Sequence, residues 1–184
     1  NTSFYYELDT IIRLGKPFNR PCCMQQTKTG EYFAADGYGN CAVHKFDKDG
    51  NYVTSWGSPG HIDSDQYYLP HWVNVDKYNR VWVSDRENHR VHVYDVSGKQ
   101  IALLEGYTRQ ASTCSDDQYV YLGMLSGELV ILDIDTLEEA AHFGFPGLNM
   151  FAFHSLCVNK SGDIVLSSIR GLRPIGNIIR FNRQ

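Results

Sequence analysis

Two histidines stand at matching points of the chain and are candidates to share a metal ion. His71 follows a proline in "LPH", and His154 ends "FAFH", 154 − 71 = 83 residues later. Neutral imidazole is a common zinc ligand, and a zinc ion with an open coordination position activates water or a substrate. A lone histidine in a strand is more often a hydrogen-bonded structural residue, so that alternative stays open. Because both occupy the same repeated position, a shared metal ion is the second alternative.

The other five histidines are expected to be structural. His92 lies among valines in "RVHVYD", and His89 follows the turn that precedes this segment. Neither recurs at the position that the candidate ligands share. We expect packing or a solvated edge for both and, by the same argument, for His44, His61 and His142.

An internal repeat must position these residues. Residues 30–57 align with residues 79–106, and their turn aspartates, Asp36 and Asp85, are 85 − 36 = 49 residues apart. Each unit alternates apolar and polar residues between turns that contain Asp and Gly, which is typical of short strands. Weaker copies follow at residues 118–144 and 162–182. We expect the two turn aspartates to bond turn backbone amides, a structural role.

Units of four short strands with a period of about 40 to 50 residues are typical of β-propeller blades. We therefore predict an all-β fold with four blades, at about residues 19–57, 69–106, 107–144 and 151–184. Residues 1–18 match no copy and are expected to be a leader or the tail of a preceding blade. The segment "TLEEAAHF" (136–143) has a helical composition, but its place in the repeat predicts a strand.

Four motifs resemble the NHL repeat family, and within it the lyase domain of peptidylglycine α-amidating enzymes and its bacterial relatives. They are "DGYGN" (36–40), "LPHW" (69–72), "DRENHR" (85–90) and "FHSL" (153–156). In that family, six blades surround a zinc ion bound by three histidines, one from every second blade. The resemblance implies four blades of a six-bladed ring here, with His71 and His154 as two zinc ligands. It places the third ligand N-terminal to Asn1, since the corresponding step of the first blade carries Cys22.

The resemblance also implies two catalytic residues. Tyr38 matches the family tyrosine that takes the proton of the substrate hydroxyl, and a nearby cation would favour its phenolate form. Arg86 matches an arginine at the rim of the site, where it can hold Tyr38 as phenolate or bind a substrate carboxylate. A surface turn for Tyr38 and an ordinary salt bridge for Arg86 are the structural alternatives.

The chain departs from the family in three respects. Ser155 follows His154 where the family has an aspartate that helps to bind calcium, so calcium is not expected at the axis. The cysteines that form disulfides in animal members are absent around "DGYGN" and "DRENHR", which is typical of the bacterial-type branch. The family arginine that binds the substrate carboxylate is expected in blades outside this sequence.

Composition excludes some classes of partner. The net charge is −4 at pH 7, so no basic field favours nucleic acid or a membrane surface. No apolar run approaches the roughly 20 residues of a transmembrane helix. The five cysteines include no C-x-x-C pair, so no zinc knuckle or thioredoxin-type motif is predicted. The compartment stays open, and family habit alone favours a secreted or periplasmic protein.

The expected function is a zinc-dependent lyase that cleaves the C–N bond of an N-(α-hydroxyalkyl) amide such as a peptidyl-α-hydroxyglycine, giving an amide and glyoxylate. Its expected partner is a small-molecule or peptide substrate, with a further chain or N-terminal blades completing the ring. A non-catalytic NHL propeller that binds a protein or ligand is the alternative from another class. A third possibility is a propeller lyase or hydrolase that uses the same metal on a different small substrate.

Overall fold

The computed structural model describes residues 17–144, 151–169 and 178–182. These residues form consecutive antiparallel sheets in which each strand pairs with the next along the chain. Blade 1 contains β1 (Cys23–Gln26), β2 (Tyr32–Asp36), β3 (Ala42–Phe46) and β4 (Tyr52–Trp56). Two short parallel strands, β5 (Ser58–Pro59) and β6 (Gln66–Tyr67), link it to the next blade.

The later blades repeat this meander. Blade 2 contains β7 (Pro70–Val75), β8 (Val81–Asp85), β9 (Arg90–Tyr94) and β10 (Gln100–Glu105), with a 3₁₀ turn at Arg86–Asn88. Blade 3 contains β11 (Gln110–Ser115), β12 (Tyr119–Met124), β13 (Leu129–Asp133) and β14 (Glu139–Phe143). The described part of blade 4 contains β15 (Phe153–Val158), β16 (Ile164–Ser168) and β17 (Ile178–Phe181). The predicted all-β propeller with four blades is confirmed, and "TLEEAAHF" ends in a strand as predicted.

The hydrophobic core lies between the blades. Alternate residues of each strand face the neighbouring sheet, because side chains along a strand point to opposite faces in turn. Phe33 and Val43 of blade 1 pack against Val73 and Val83 of blade 2. Similar clusters join blade 2 to blade 3 and blade 3 to blade 4. The blades are therefore held as a stack around a common axis.

Side-chain oxygens close the turns between strands in each blade. They accept hydrogen bonds from backbone amides two to four residues later, which replaces the bonds that a tight turn leaves unmade. The residues that do so are Asp47, Asp76, Asp95, Asp116, Asp133 and Asn159. The segment "FDKDGN" (46–51) forms one of these hairpin turns.

The face of blade 1 that does not pack against blade 2 is covered by the residues that precede this blade. Phe18 stacks on Phe46, with ring centroids 5.4 Å apart. Asn40 donates a hydrogen bond to the carbonyl oxygen of Pro17 at 2.9 Å. Residues 17 and 18 of the expected leader thus pack on blade 1, whereas residues 1–16 lie outside the described residues.

The turn aspartates were expected to accept hydrogen bonds from backbone amides of their own turns, and for Asp85 this prediction is wrong. Asp85 does not bond the amides of its own turn, and its Oδ1 accepts from the backbone amides of Tyr68 and Leu69 at 2.9 and 3.1 Å. Its Oδ2 accepts from Asn88 Nδ2 at 2.6 Å and from Arg90 Nε at 3.1 Å. The carboxylate therefore joins the end of strand β8 to the segment that leads into β7.

We predict that Asp85→Ala lowers the free energy of unfolding by about 3–5 kcal/mol, because it leaves the buried Arg90 guanidinium without its carboxylate. Urea denaturation followed by circular dichroism measures this. The control is Asp49→Ala, whose side chain is 64% exposed and whose loss should leave the midpoint unchanged. Equal midpoints for the Asp85 variant and the wild type would contradict a structural role for this carboxylate.

Candidate functional site

The innermost strands of the blades bring His71 and His154 together. Strands β1, β7, β11 and β15 each contact the next, so residues from separate blades meet near the axis. His71 lies on β7 and His154 on β15, with ring centroids 4.8 Å apart and planes at 88°. The family resemblance together with the sequence spacing predicted this pair, and the structure places the two side chains in contact.

A backbone carbonyl fixes the orientation of His71. Its Nδ1 lies 2.6 Å from the carbonyl oxygen of Ala111, on the strand between the two histidines. Because a carbonyl oxygen only accepts hydrogen bonds, Nδ1 carries the proton and Nε2 has a free lone pair. An Nδ1–H bond to a carbonyl is the usual way in which proteins orient a metal-ligating histidine.

Both imidazoles are held in the neutral form. Burial lowers the pKa of His71 to about 3, and the positive charge of Arg86 acts in the same direction. Burial and Arg86 also lower the pKa of His154, which is half-buried. Neutral imidazole is the form that binds a metal, so neither side chain must lose a proton to do so.

The pair has the chemistry of two zinc ligands. Two imidazoles that bind one tetrahedral zinc ion through bonds of about 2.0–2.1 Å have ring centroids roughly 5 Å apart. The separation of 4.8 Å between His71 and His154 agrees with this value. A group of three or more His, Cys, Asp or Glu side chains arranged to hold a metal is absent from residues 17–144, 151–169 and 178–182. The third ligand that the family resemblance implies is therefore not among the described residues.

A close backbone approach places Tyr38 beside this pair. A Cβ atom at Gly37 would lie 2.3 Å from the carbonyl oxygen of Pro70, so the turn of "DGYGN" packs directly on the "LPH" step. Tyr38 then contacts His71, with ring centroids 5.7 Å apart and planes at 75°. Its side chain is half-buried rather than on an open surface turn.

Arg86 joins Tyr38 to the rest of the site. Its backbone amide donates to the carbonyl oxygen of Leu69 at 3.0 Å, which fixes the 3₁₀ turn next to the "LPH" step. Its Nη1 donates to the Tyr38 hydroxyl oxygen at 3.2 Å, and the residue is only 8% exposed. The guanidinium thus lies where it would stabilise a negative charge on the tyrosine oxygen.

Two residues of this cluster, Glu87 and Arg109, were not predicted from the sequence. Glu87 has a side chain that is 6% exposed, and its Oε1 accepts from Arg86 Nε at 2.7 Å and from Arg109 Nη2 at 3.2 Å. Burial alone would raise the pKa of Glu87, but the two guanidiniums outweigh it and lower that pKa. Its position within "DREN" was the available signal, since the neighbouring residues of that motif were already candidates.

A second polar cluster contains an aspartate, a histidine and a serine. His44 is 1% exposed, and its Nε2 lies 3.0 Å from Asp36 Oδ2 while its Nδ1 lies 2.6 Å from Ser55 Oγ. These residue types form the triad of serine hydrolases. The next blade shows that the Asp–His pair is a repeated structural device.

In blade 2, His92 occupies the strand position that His44 occupies in blade 1, and it also approaches the aspartate before it. His92 Nε2 lies 3.5 Å from Asp85 Oδ2, and its Nδ1 bonds the Tyr94 hydroxyl at 3.1 Å. Opposite His92 in strand register stands Leu103, where blade 1 has its serine. Both histidines link two strands of one blade, as expected for structural residues.

Cys22 lies near the site as a buried thiol. Burial raises the pKa of this thiol to about 11, and its Sγ approaches the carbonyl oxygen of Pro70 at 3.8 Å. In the metal-free protein the side chain is therefore a protonated thiol at neutral pH, and it packs between blades 1 and 2.

Two grooves among the described residues lie away from this cluster. One groove of about 510 Å³ runs between blades 3 and 4 and is lined mainly by apolar side chains such as Tyr121, Ile131 and Ile164. A second, of similar volume, lies along the outer strand of blade 2. Neither includes the paired histidines, Tyr38 or Arg86.

Comparison with known proteins agrees with the motifs. Residues 67–94 match the NHL repeat. Over 79 residues the chain is 33% identical to the probable peptidyl-alpha-hydroxyglycine alpha-amidating lyase of Caenorhabditis elegans, covering 42% of this chain and 23% of that protein. It is 32% identical over 80 residues to human NHL repeat-containing protein 3, with the same coverage of each chain.

The fold is shared with solved propellers. The chain aligns with virginiamycin B lyase of Staphylococcus aureus with a TM-score of 0.68 and 13% identity, over 89% of this chain and 56% of that one. The resemblance to NHL propellers and to amidating lyases is thereby confirmed. The chain spans about a quarter of the length of the curated relatives that it matches. The described residues contain no helix that is both long and apolar enough to cross a bilayer.

We predict that NMR of the metal-free protein shows His71 as the neutral Nδ1–H tautomer at pH 7 and still at pH 5. Its pKa is lowered to about 3, so it stays unprotonated throughout this interval. Long-range ¹H–¹⁵N correlations distinguish the two tautomers directly. A protonated Nε2 would contradict the bond to Ala111 and would remove the lone pair required of a ligand.

Proposed function

We propose that this chain carries part of the active site of a zinc-dependent lyase that cleaves the C–N bond of an N-(α-hydroxyalkyl) amide. A peptidyl-α-hydroxyglycine is the substrate that the similarity to amidating lyases suggests. The observation that carries the proposal is the meeting of His71 and His154 with the Arg86–Tyr38 pair at the inner strands. These residues come from three blades, and neither burial nor blade packing requires these residue types there.

The reaction needs a base for the carbinol proton and a group that stabilises negative charge. Tyr38, as phenolate, takes the hydroxyl proton, and the electron pair of that O–H bond forms the C=O bond of glyoxylate. The C–N bond then breaks with its electron pair going to the amide nitrogen, which takes a proton from the Tyr38 phenol and so restores the phenolate. Arg86 stabilises the phenolate by its hydrogen bond to the tyrosine oxygen.

His71 and His154 are the residues that would hold the zinc ion. When bound, zinc supplies a Lewis acid that lowers the pKa of a coordinated hydroxyl group. The carbonyl of Ala111 keeps the ring of His71 in place and its Nε2 lone pair available. The edge-to-face contact of Tyr38 with His71 puts the proposed base next to that ligand.

We predict that the chain binds zinc and that His71→Ala and His154→Ala each weaken binding at least tenfold, since each removes a ligand. Competition with a chromogenic chelator measures the affinity, and circular dichroism checks the fold. His61→Ala is the control, because His61 is exposed and lies outside the cluster. Equal zinc affinity in the wild type and both ligand variants would contradict the metal assignment.

We predict that Tyr38→Phe lowers kcat for a peptidyl-α-hydroxyglycine by about 10²–10⁴-fold, the usual contribution of a general base. Release of glyoxylate, above the spontaneous rate, gives the measurement. Tyr32→Phe is the matched control, because Tyr32 lies on strand β2 of the same blade and outside the site. A Tyr38→Phe variant with full kcat would rule out the proposed base.

A second candidate is a non-catalytic NHL propeller that binds a protein or a ligand. It is favoured by the absence of a three-residue metal group from the part of the chain that the structure describes. The similarity to human NHL repeat-containing protein 3 agrees with this second candidate as well as with the first. Tight zinc binding that depends on both histidines separates the two candidates, because a binding platform has no need of it.

A further inference from the structure

The groove along the outer strand of blade 2 lies outside the candidate lyase site and has the dimensions of a small-molecule site. Its volume is about 510 Å³, within the range of about 300–1,000 Å³ that is usual for such sites. One wall is strand β10, and the other is the end of blade 1 with the residues between β5 and β6. Two blades therefore form its walls.

Aromatic and aliphatic side chains form one part of this groove. Trp56 and Tyr94 both line it, with ring centroids 5.5 Å apart and planes at 55°. On β10 the lining includes Ile101, which is 53% exposed, and Leu103. The faces of Trp and Tyr rings attract cations, and aliphatic side chains accommodate an alkyl chain.

A glycine leaves room in the groove next to Trp56. Gly98 has a φ of +88°, and a Cβ atom there would lie 3.1 Å from Trp56 Cε3. Gly50 has the same place in the corresponding turn of blade 1, where each glycine amide donates to the carbonyl oxygen of the turn aspartate. A Cβ atom at Gly50 would meet nothing within 4 Å. The close approach to the indole is thus particular to this groove and is not a general property of the turn.

Three polar side chains that line the groove are available to a ligand. Among the residues that the structure describes, Ser64, Asp65 and Gln100 have no hydrogen-bond or ion-pair partner. Asp63, two residues before Asp65, is by contrast paired, since its Oδ2 accepts from Gln66 Nε2 at 3.0 Å. The groove therefore presents a hydroxyl, a carboxylate and an amide whose hydrogen-bonding capacity is unused.

The charge of the groove favours a cation. Of the described residues that line it, Asp65 alone carries a charge, and that charge is negative. Burial raises the pKa of Tyr94 to about 12, and the negative charges of Asp85 and Asp65 act in the same direction. The carboxylate of Asp65 thus acts on the space beside the aromatic rings. An anion would be repelled there, and a neutral ligand would leave the carboxylate without a counter-charge.

We propose that this groove binds an alkylammonium ion, with the charged nitrogen between Asp65 and the Trp56 ring and the alkyl chain along β10. The oxygens of Ser64 and Gln100 accept hydrogen bonds from the remaining N–H groups of the ammonium. The inference goes beyond the proposed function and is independent of it, because neither the paired histidines nor Tyr38 and Arg86 line the groove.

The test compares two probes of similar shape, n-pentylammonium and the neutral n-pentanol. Dissociation constants come from NMR titrations at pH 7 and low ionic strength that follow the backbone amides of Gly57 and Gly98. Wild type should bind the ammonium more tightly than the alcohol. Asp65→Asn should weaken ammonium binding about 2- to 5-fold, the upper range for an exposed ion pair, and leave alcohol binding unchanged. Trp56→Leu should weaken ammonium binding by a similar factor through loss of the aromatic face, with circular dichroism as the check on the fold.

Glu105→Gln is the matched control, because it removes one negative charge from the same strand β10 without altering the lining of the groove. Equal affinity of the wild type for both probes would overturn the proposal, as would the absence of saturable shifts. Undiminished ammonium binding by the Asp65→Asn variant would also overturn it, and so would an equal loss in the Glu105 variant. Neither zinc nor turnover enters this measurement, so the lyase proposal stands or fails separately.

Discussion

The carboxylate of Asp85 is fully buried and accepts hydrogen bonds from the backbone amides of Leu69 and Tyr68, which lie 16 and 17 residues earlier in the chain. It holds the backbone that leads into the "LPH" step and, at the same time, Asn88 at the end of the 3₁₀ turn that carries Arg86. His71 and Arg86 therefore keep a fixed relation although they lie on different strands. Removing a buried charge partner costs several kcal/mol, so this relation is strongly maintained.

The blades were predictable because their signals are local. Alternation of apolar residues and the turn residues between strands are set by neighbours a few positions away. The pairing of His71 with His154 was predictable from the family resemblance, because in that family the same position of every second blade supplies a zinc ligand at one axis. The structure places these two side chains in contact although they are 83 residues apart.

The rest of the site depends on contacts that no local pattern records. Glu87 could not be identified from the sequence, because the guanidiniums that pair with it come from two places. Arg86 is the residue beside it, and Arg109 lies in a loop of the next blade. Asp85 was assigned to the amides of its own turn, whereas its partners precede the other strand of the pair. Sequence patterns identify which residues face inward, but cross-blade distances decide which of them meet.

Histidine has two different roles in this fold, and strand position separates them. His44 and His92 lie on the third strand of their blades, each near an aspartate, where the imidazole links strands within one sheet. His71 lies on an innermost strand, where its partner is a carbonyl of the next blade and its Nε2 is left available. An aspartate beside His71 would favour imidazolium, whereas burial and, after it, the positive charge of Arg86 lower the pKa of this ring and favour its neutral form. Histidine is thus structural where a carboxylate lies against one of its ring nitrogens, as in His44 and His92. It is a candidate ligand where a backbone carbonyl binds Nδ1 and leaves Nε2 available, as in His71.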